Sequence, residues 1–396
     1  MRGQNPVFIP GPTNIPDELR RAMAVQTIDH RGPAFADMLP GLLDDVKKIF
    51  KTKSAAIVTF PATGTGGWEA AITNTLSPGD TVLAARFGMF SHRWIDLCQR
   101  HGLNVEIIET PWGEGMPLDK IEAHLTADRD RRIKAVLATH NETATGVKSD
   151  IAGVRRALDA SGHPALLLVD GVSSIASMDF RMDEWSVDIA VTGSQKGFML
   201  ATGMAIVAVS DKALAAMGNA RATRCFFDFK DMLTAYKRGG YPYTPPVQLI
   251  FGLRASIDLL LAEGLDNVFA RHHRIAEGVR RGIAAWGLQL AAVRPELHSD
   301  TVSAIRVPQG FDSTALVNHA FKAYDVSFGV GLGEVAGKVF RIGHLGSLTD
   351  VMALSGLAAA EMSMKDLGYP ITLGSGIAAA QDYYRNSRVE TQSKAA

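Results

Sequence analysis

Between residues 54 and 210 the chain alternates short apolar runs with amphipathic stretches. The runs are Ala55-Ala-Ile-Val-Thr-Phe60, Thr81-Val-Leu-Ala84, Ile133-Lys-Ala-Val-Leu-Ala138, Ala165-Leu-Leu-Leu-Val169, Val187-Asp-Ile-Ala-Val-Thr192 and Met204-Ala-Ile-Val-Ala-Val209. Each has strand length, and near-continuous hydrophobicity marks strands covered on both faces. The pattern predicts an α/β fold: a large, mostly parallel, doubly wound sheet with helices on either side. Among the intervening stretches, residues 150–161 read as a helix, because Gly162 and Pro164 supply the stop signals.

The grammar changes after Tyr241-Pro-Tyr-Thr-Pro-Pro246, which interrupts regular structure. Helices are predicted over 247–261 and 265–286, then a half-buried strand over 301–307, a helix over 312–324 and a strand over 338–342. This predicts a second, smaller α+β domain. At the start, Ile9-Pro-Gly-Pro-Thr-Asn-Ile-Pro16 carries three prolines, which exclude helix and interior strand and leave an extended, turned arm. The expected organisation is an arm over 1–20 that joins the small domain or a partner subunit, a large domain over 21–262 and a small domain over 263–396. The polar tail after Tyr384 is expected to fray.

A chain of 396 residues exceeds one ordinary core, in keeping with two domains. Lysine plus arginine equals aspartate plus glutamate at 41 each, so no net field points to nucleic acid or an anionic membrane, and a small-molecule substrate is the better expectation. The two cysteines, Cys98 and Cys225, stand in no CxxC or metal-type spacing, so neither a disulfide framework nor a metal site is expected. The first residues hold no signal-type apolar core and no stretch reaches membrane-span length, so the expected location is the cytoplasm.

Candidate chemistry gathers where the apolar runs end. Asp170 closes one run and Lys196 follows another by four residues, so in a parallel sheet both fall on the carboxyl edge, where ligands bind. Pyridoxal phosphate (PLP) chemistry needs that pair: an amine to form a Schiff base with the cofactor's aldehyde, and a carboxylate to keep the ring nitrogen protonated. An exposed lysine and a helix-capping aspartate would leave the same trace. The glycine-rich Pro61-Ala-Thr-Gly-Thr-Gly-Gly67, between a strand and a helix expected from about Trp68, suits a phosphate held by backbone N–H groups and the Thr63 and Thr65 hydroxyls. Its spacing is not GxGxxG, although a dinucleotide loop or a plain glycine turn stays open. Thr143 follows the Ile133 run and could donate to the cofactor's 3′-oxygen or phosphate. Phe90 follows the Thr81 run and either stacks on the ring or packs in the core. Arg341, in an apolar strand, either pairs with a protein carboxylate or grips a substrate carboxylate.

Together these segments resemble the class V aminotransferases of PLP fold type I, in particular the alanine/serine–glyoxylate aminotransferase family. The similarity runs from Pro10-Gly-Pro-Thr-Asn-Ile-Pro16 through Ala144-Thr-Gly-Val147, Val169-Asp-Gly-Val-Ser-Ser174 and Gly193-Ser-Gln-Lys-Gly197 to Arg341-Ile-Gly-His-Leu-Gly346. The resemblance implies Lys196 as the Schiff-base lysine, Asp170 as the pyridinium partner and Gln195 as a phosphate contact. It implies Thr63, Gly64 and Thr65 as the phosphate loop, Thr143 as a cofactor contact, Phe90 as the stacking ring and Arg341 as the grip on the substrate's α-carboxylate. Tyr241 and Thr244 match residues that reach the phosphate from the other subunit, which implies a homodimer with composite sites. Two departures stand out: Phe90 occupies a position that is often tryptophan in relatives, and Leu200-Ala-Thr-Gly-Met204 lacks the proline many of them carry.

The segments Glu109-Thr-Pro-Trp-Gly-Glu114, Arg181-Met-Asp-Glu-Trp185 and Phe226-Phe-Asp228 are most similar to bacterial glyoxylate-using members. The implied reaction is transamination of glyoxylate to glycine with L-aspartate as donor, L-serine being the alternative. An aspartate donor brings a second carboxylate, for which His30, Arg31 and Arg93 are candidate cations; each could equally be a solvated or dimer-contact charge. A cysteine desulfurase on the same fold would want a cysteine in a glycine-rich site loop, which neither Cys98 nor Cys225 provides. An NAD-dependent oxidoreductase is the remote alternative.

Overall fold

The computed structural model describes residues 5–393, with side chains described through residue 387. The first four residues of the expected arm and the last three of the expected small domain lie outside it. In chain order the first strands are β1 (Ala56–Phe60), β2 (Thr81–Arg86), β3 (Asn104–Glu109), β4 (Ile133–Thr139), the short β5 (Asn141–Glu142) and β6 (Val147–Lys148), β7 (Leu166–Asp170), β8 (Ile189–Gly193) and β9 (Ala205–Val209). All six apolar runs are strands of one seven-stranded sheet in the order β1-β9-β8-β7-β4-β2-β3. Its pairs are parallel except those of β9, which runs antiparallel to both β1 and β8. The seventh strand, β3, escaped the apolar-run reading because it is an edge strand that alternates, Asn104-Val-Glu-Ile-Ile-Glu109, with most positions only partly buried.

Nine helices come with these strands: α1 (Asp17–Met23), α2 (Pro33–Phe50), α3 (Gly64–Thr75), α4 (Met89–Arg100), α5 (Leu118–Ala127), α6 (Ile151–Ala160), α7 (Asp211–Ala216), α8 (Phe229–Tyr236) and α9 (Val247–Glu263). The strands' period-two alternation divides the apolar side chains between two cores. Leu83, Val136, Leu167 and Ile206 pack with Leu39 and Val46 of α2 and Leu253 of α9. Their chain neighbours Val82, Leu137, Leu168 and Val207 pack on the other face with Trp68 of α3 and Trp94 of α4. Helix α6 starts where expected, with Asp150 accepting from Gly153 N at 2.8 Å.

The remaining chain builds α10 (Leu265–Ala285), β10 (Gln289–Leu290), β11 (Val302–Arg306), α11 (Ser313–Tyr324), β12 (Gly329–Val330), β13 (Val339–Gly343), α12 (Asp350–Asp366) and α13 (Ser375–Ser393). Its four strands form an antiparallel sheet ordered β10-β11-β13-β12, and Ile275, Val279, Ile305, Phe340, Leu357 and Met364 make its core. The N-terminal arm is stitched to this sheet. Phe8 is buried in that core, its N–H donates to Ser327 O at 2.9 Å, and its carbonyl accepts from Gly343 N at 2.7 Å. The arm then crosses to the large sheet, where Thr13 N donates to Gln195 O at 3.2 Å.

Two expectations are corrected. The arm ends at Pro16 and not at residue 20, because α1 begins as soon as the prolines stop. The tail does not fray from Tyr384: α13 runs on to Ser393, anchored by the buried Tyr384, whose hydroxyl donates to Ile275 O at 2.8 Å.

Candidate active site

Six strands, β1, β2, β3, β4, β7 and β8, run the same way and deliver their carboxyl ends to one edge, where Thr139 pairs with Asp170 and Asp170 with Val191. Residues a few positions past those ends are therefore neighbours. Thr63, Gly64, Thr65, Phe90, Thr143, Asp170, Gln195 and Lys196 line one cavity of about 200 Å³. Gly11, Pro12, Trp68, Val172 and Ser173 complete its wall. Of these, Val172 and Ser173 lie inside the Val169–Ser174 motif and were legible as neighbours of Asp170. Gly11 and Pro12 lie inside the Pro10–Pro16 motif without having been read as site residues, and nothing local in the sequence marks Trp68 as one.

The glycine-rich segment is not a loop ahead of a helix at Trp68. Helix α3 begins at Gly64, and Thr63 is its N-cap, extended at φ −119° and with no capping bond from its side chain. The first N–H groups of the helix have no partner within it, so they and the Thr63 hydroxyl are left to bind an anion. A Cβ on Gly64 would stand 2.4 Å from Val172 Cγ2, and one on Gly67 2.5 Å from Val191 Cγ1. Both glycines are needed for α3 to press against the strand ends.

Asp170 is buried and Lys196 is partly buried, both in charge-shifting surroundings. Burial pushes the Asp170 carboxyl up to about 7, with the nearby Glu142 adding to the rise; the Val172 N–H, bonded to Oδ1 at 2.9 Å, the Trp68 indole and Lys196 pull the other way. Burial pushes the Lys196 ammonium down to about 8, helped by the Arg341 charge and opposed by Asp170. Lys196 Nζ donates to the Pro10 carbonyl of the arm. Gly11 beside it has φ +103°, and a Cβ there would stand 2.5 Å from the lysine's Cδ and Nζ, so only glycine lets the arm lie over Lys196.

Arg341, on β13 of the other sheet, is 6% exposed. Its Nε donates to Val330 O at 3.0 Å and its Nη1 to Thr143 O at 3.1 Å, and among the described residues no carboxylate forms an ion pair with it. Of its two readings, pairing with a protein carboxylate is therefore not realised in the chain. Burial lowers its pKa to about 10, with Glu142 opposing. Phe90 is half-buried near the start of α4, where it both lines the cavity and packs against the core of Trp68 and Trp94, and the Arg93 guanidinium lies 5.4 Å from its ring centroid. The Thr143 hydroxyl meets Ser173 Oγ at 2.8 Å.

Four named residues lie elsewhere in their own chain. His30, Arg31 and Tyr241 border a separate hollow of about 380 Å³, the Tyr241 hydroxyl meets Thr59 Oγ1 at 2.6 Å, and Thr244 is exposed. Cys98 is buried and Cys225 exposed, and both are free thiols. Among the described residues no group of three His, Cys, Asp or Glu side chains could hold a metal, and no helix is long and apolar enough to cross a membrane.

The cavity suits PLP. The Gln195 Oε1 atom is buried with no partner among the described residues, so the polar end of that amide is left for a ligand. The uncapped α3 terminus suits a phosphate, Phe90 and Val172 offer surfaces for a flat ring, and Asp170 and Lys196 supply the carboxylate and the amine. The volume is below the ~300–1,000 Å³ of larger ligand pockets, which favours a one-ring cofactor over a dinucleotide.

A doubly wound sheet with a smaller α+β partner, carrying a lysine, a carboxylate and a helix N-terminus on its carboxyl edge, is the fold of type I PLP enzymes. The chain belongs to the class V aminotransferases: the "Aminotransferase class-V" family model matches residues 18–331. It is 69% identical over 396 residues to the L-aspartate–glyoxylate aminotransferase of Paracoccus denitrificans, covering 100% of both chains. It is 56% identical to the serine–glyoxylate aminotransferase of Hyphomicrobium methylovorum, covering 97% of this chain and 96% of that one. Among solved structures, pyridoxamine–pyruvate aminotransferase from Mesorhizobium loti superposes with a TM-score of 0.90 at 31% identity, over 97% of this chain and 98% of the other. The chain is thus an aminotransferase, and PLP is the cofactor its family implies.

Proposed function

We propose that the chain transfers the amino group of L-aspartate to glyoxylate, giving oxaloacetate and glycine. The observation that carries the chemistry is the convergence of Lys196, Asp170 and the α3 N-terminus on one cavity, with a buried guanidinium, Arg341, that has no carboxylate partner. The donor rests on the relative that is 69% identical, which bears the name of an aspartate-using enzyme. L-serine is the second reading, carried by the serine-using relative at 56% identity.

When bound, PLP supplies an aldehyde carbon that takes the amino group and a ring that withdraws electrons from the substrate's α-carbon. Asp170 keeps a proton on the ring nitrogen, for which its carboxylate must be ionised; a cationic partner favours that form over the neutral one burial prefers. Lys196 would hold the cofactor through its aldehyde carbon, and its freed Nζ would move the proton between the substrate α-carbon and the cofactor's C4′. Its lowered pKa enlarges the neutral, proton-accepting fraction of the amine near physiological pH. Thr63, Gly64, Thr65 and Gln195 would hold the phosphate at the helix terminus, Thr143 would donate to the 3′-oxygen or the phosphate, and Phe90 would cover a ring face. Arg341 turns its free edge to the substrate's α-carboxylate.

We infer a homodimer in which Tyr241 and Thr244 of one subunit complete the phosphate site of the other, and His30 and Arg31 stand near its substrate. In support, these residues lie off their own cavity, and Phe226 and Tyr243 form an exposed stacked pair at 5.4 Å that a second copy would cover. The domain division at about residue 262 is supported by the separate core of the C-terminal sheet, which Phe8 of the arm joins, while Val268 and Ala292 beyond that division still pack in the large domain's core. We assign the chain to the cytoplasm, where the exposed free Cys225 would persist.

The test is single-turnover conversion of the PLP form to the pyridoxamine form, followed by absorbance with L-aspartate or L-serine, with glyoxylate added afterwards. Faster conversion by aspartate is the expected result. Faster conversion by serine replaces the donor, and a spectrum unchanged by either refutes the transamination reading.

A further inference from the structure

Glu142 is fully buried, one residue before Thr143, and nothing in the chemistry above uses it. Its carboxylate is the acceptor for the N-terminal turn of α4. Oε1 accepts from Phe90 N at 3.2 Å and Ala144 N at 3.1 Å, and Oε2 accepts from Phe90 N at 3.1 Å and Ser91 N at 2.9 Å. The residue at the N-cap of α4 is Gly88, which has no side chain to cap the helix. A Cβ on Gly88 would stand 2.1 Å from Glu142 Cγ, so the missing side chain is what admits a carboxylate from another segment of the chain. N–H groups approach both oxygens, a geometry that holds the anion, since a carboxyl proton would face a donor. The helix N-terminus favours the same charge, against the burial that pushes the pKa up.

The next residue extends the link to the rest of the site. The Thr143 hydroxyl meets Ser173 Oγ at 2.8 Å, and the Thr143 carbonyl accepts from Arg341 Nη1 at 3.1 Å. Residues 142 and 143 thus touch three things: the turn that carries the Phe90 ring, the hydroxyl beside Asp170's loop, and the guanidinium from the other sheet. The Glu142 charge also supports the cationic form of Arg341.

We propose that Glu142 is a positioning residue: its buried carboxylate fixes the first turn of α4, and with it the Phe90 ring, and sets the Thr143 carbonyl that aims Arg341 at the substrate carboxylate. The proposal rests on the roles assigned above to Phe90 and Arg341. Glu142→Gln keeps the shape but turns an NH2 group toward backbone N–H donors, so the turn loses an acceptor and gains a repulsion.

The experiment is a double-mutant cycle on the full chain loaded with PLP, using E142Q, R341Q and the double variant. It reads KM and kcat for L-aspartate and the visible circular dichroism of the bound cofactor, which reports the ring stacked on it. E142Q is expected to raise KM about tenfold with a smaller change in kcat and to change the dichroism. The double variant is expected to have nearly the KM of R341Q alone, because Glu142 acts on KM through Arg341. Wild-type KM and dichroism in E142Q overturn the proposal, as do KM losses that multiply in the double variant. R341Q with wild-type KM overturns the site reading itself and the proposal with it, a result distinct from either of those. Should E142Q not fold, E142D, which keeps the anion but draws it back from the α4 turn, takes its place in the cycle with the same expected and overturning results.

Discussion

Asp170→Asn should make the cofactor-free chain more stable and the enzyme much less active. The carboxyl sits buried with its pKa pushed from 3.8 up to about 7. Because the folded value lies above the unfolded one, the folded chain holds more protons in that interval; the group's stabilising contribution is complete below about pH 4 and is lost as pH rises through about 7. At about 1.4 kcal/mol per pH unit, this difference amounts to ~4 kcal/mol at pH 8. Asparagine does not titrate, and its side-chain oxygen can keep the bond from Val172 N that Oδ1 now accepts. The stability gap between variant and parent should therefore widen in the variant's favour by roughly 2–3 kcal/mol between pH 5 and pH 8. Urea unfolding of both cofactor-free proteins at those two pH values measures it, and groups common to both chains cancel. Parallel pH profiles would refute the reasoning. In the loaded enzyme the sign reverses, because the ring nitrogen loses its anionic partner, and turnover should fall by more than about 10²-fold.

The partly buried Lys196 amine, with its pKa lowered to about 8, gives a second pH dependence. Its neutral form is the nucleophile, so the rate of PLP uptake by the cofactor-free chain, followed by absorbance, should rise about tenfold per unit below pH 8 and level off above it; a flat profile from pH 6 to 9 would contradict the burial argument. Gly64→Ala puts a methyl 2.4 Å from Val172 Cγ2 at the first turn of α3. An overpacking penalty of about 1–3 kcal/mol should weaken PLP binding by roughly ten- to hundredfold in an equilibrium titration while leaving the far-ultraviolet circular dichroism unchanged.

How much was legible follows from how local each feature is. The six apolar runs are all strands, and residues just past the ends of parallel strands share an edge whatever the loops do. Seven of the named residues follow such ends and line one cavity, together with Gln195, which only the family resemblance named. Other features were missed for physical reasons. The edge strand β3 is too polar to read as a run, and α3 starts on glycines whose poor helix propensity pointed to a loop. The antiparallel direction of β9 leaves no trace in an apolar run.

The chain's local chemistry determined the doubly wound sheet, the smaller α+β unit and the placing of a lysine, a carboxylate and a glycine-rich turn on one sheet edge, because strand period, turn residues and strand ends are written within a few positions. Tertiary structure alone decided what those groups feel. Arg341 is oriented by a carbonyl 198 positions away, Lys196 donates to one 186 positions away, and Glu142 caps a helix begun 53 residues earlier. Hydrogen-bond partners and charge shifts depend on which segments burial brings into contact, and distance along the chain carries almost no information about that.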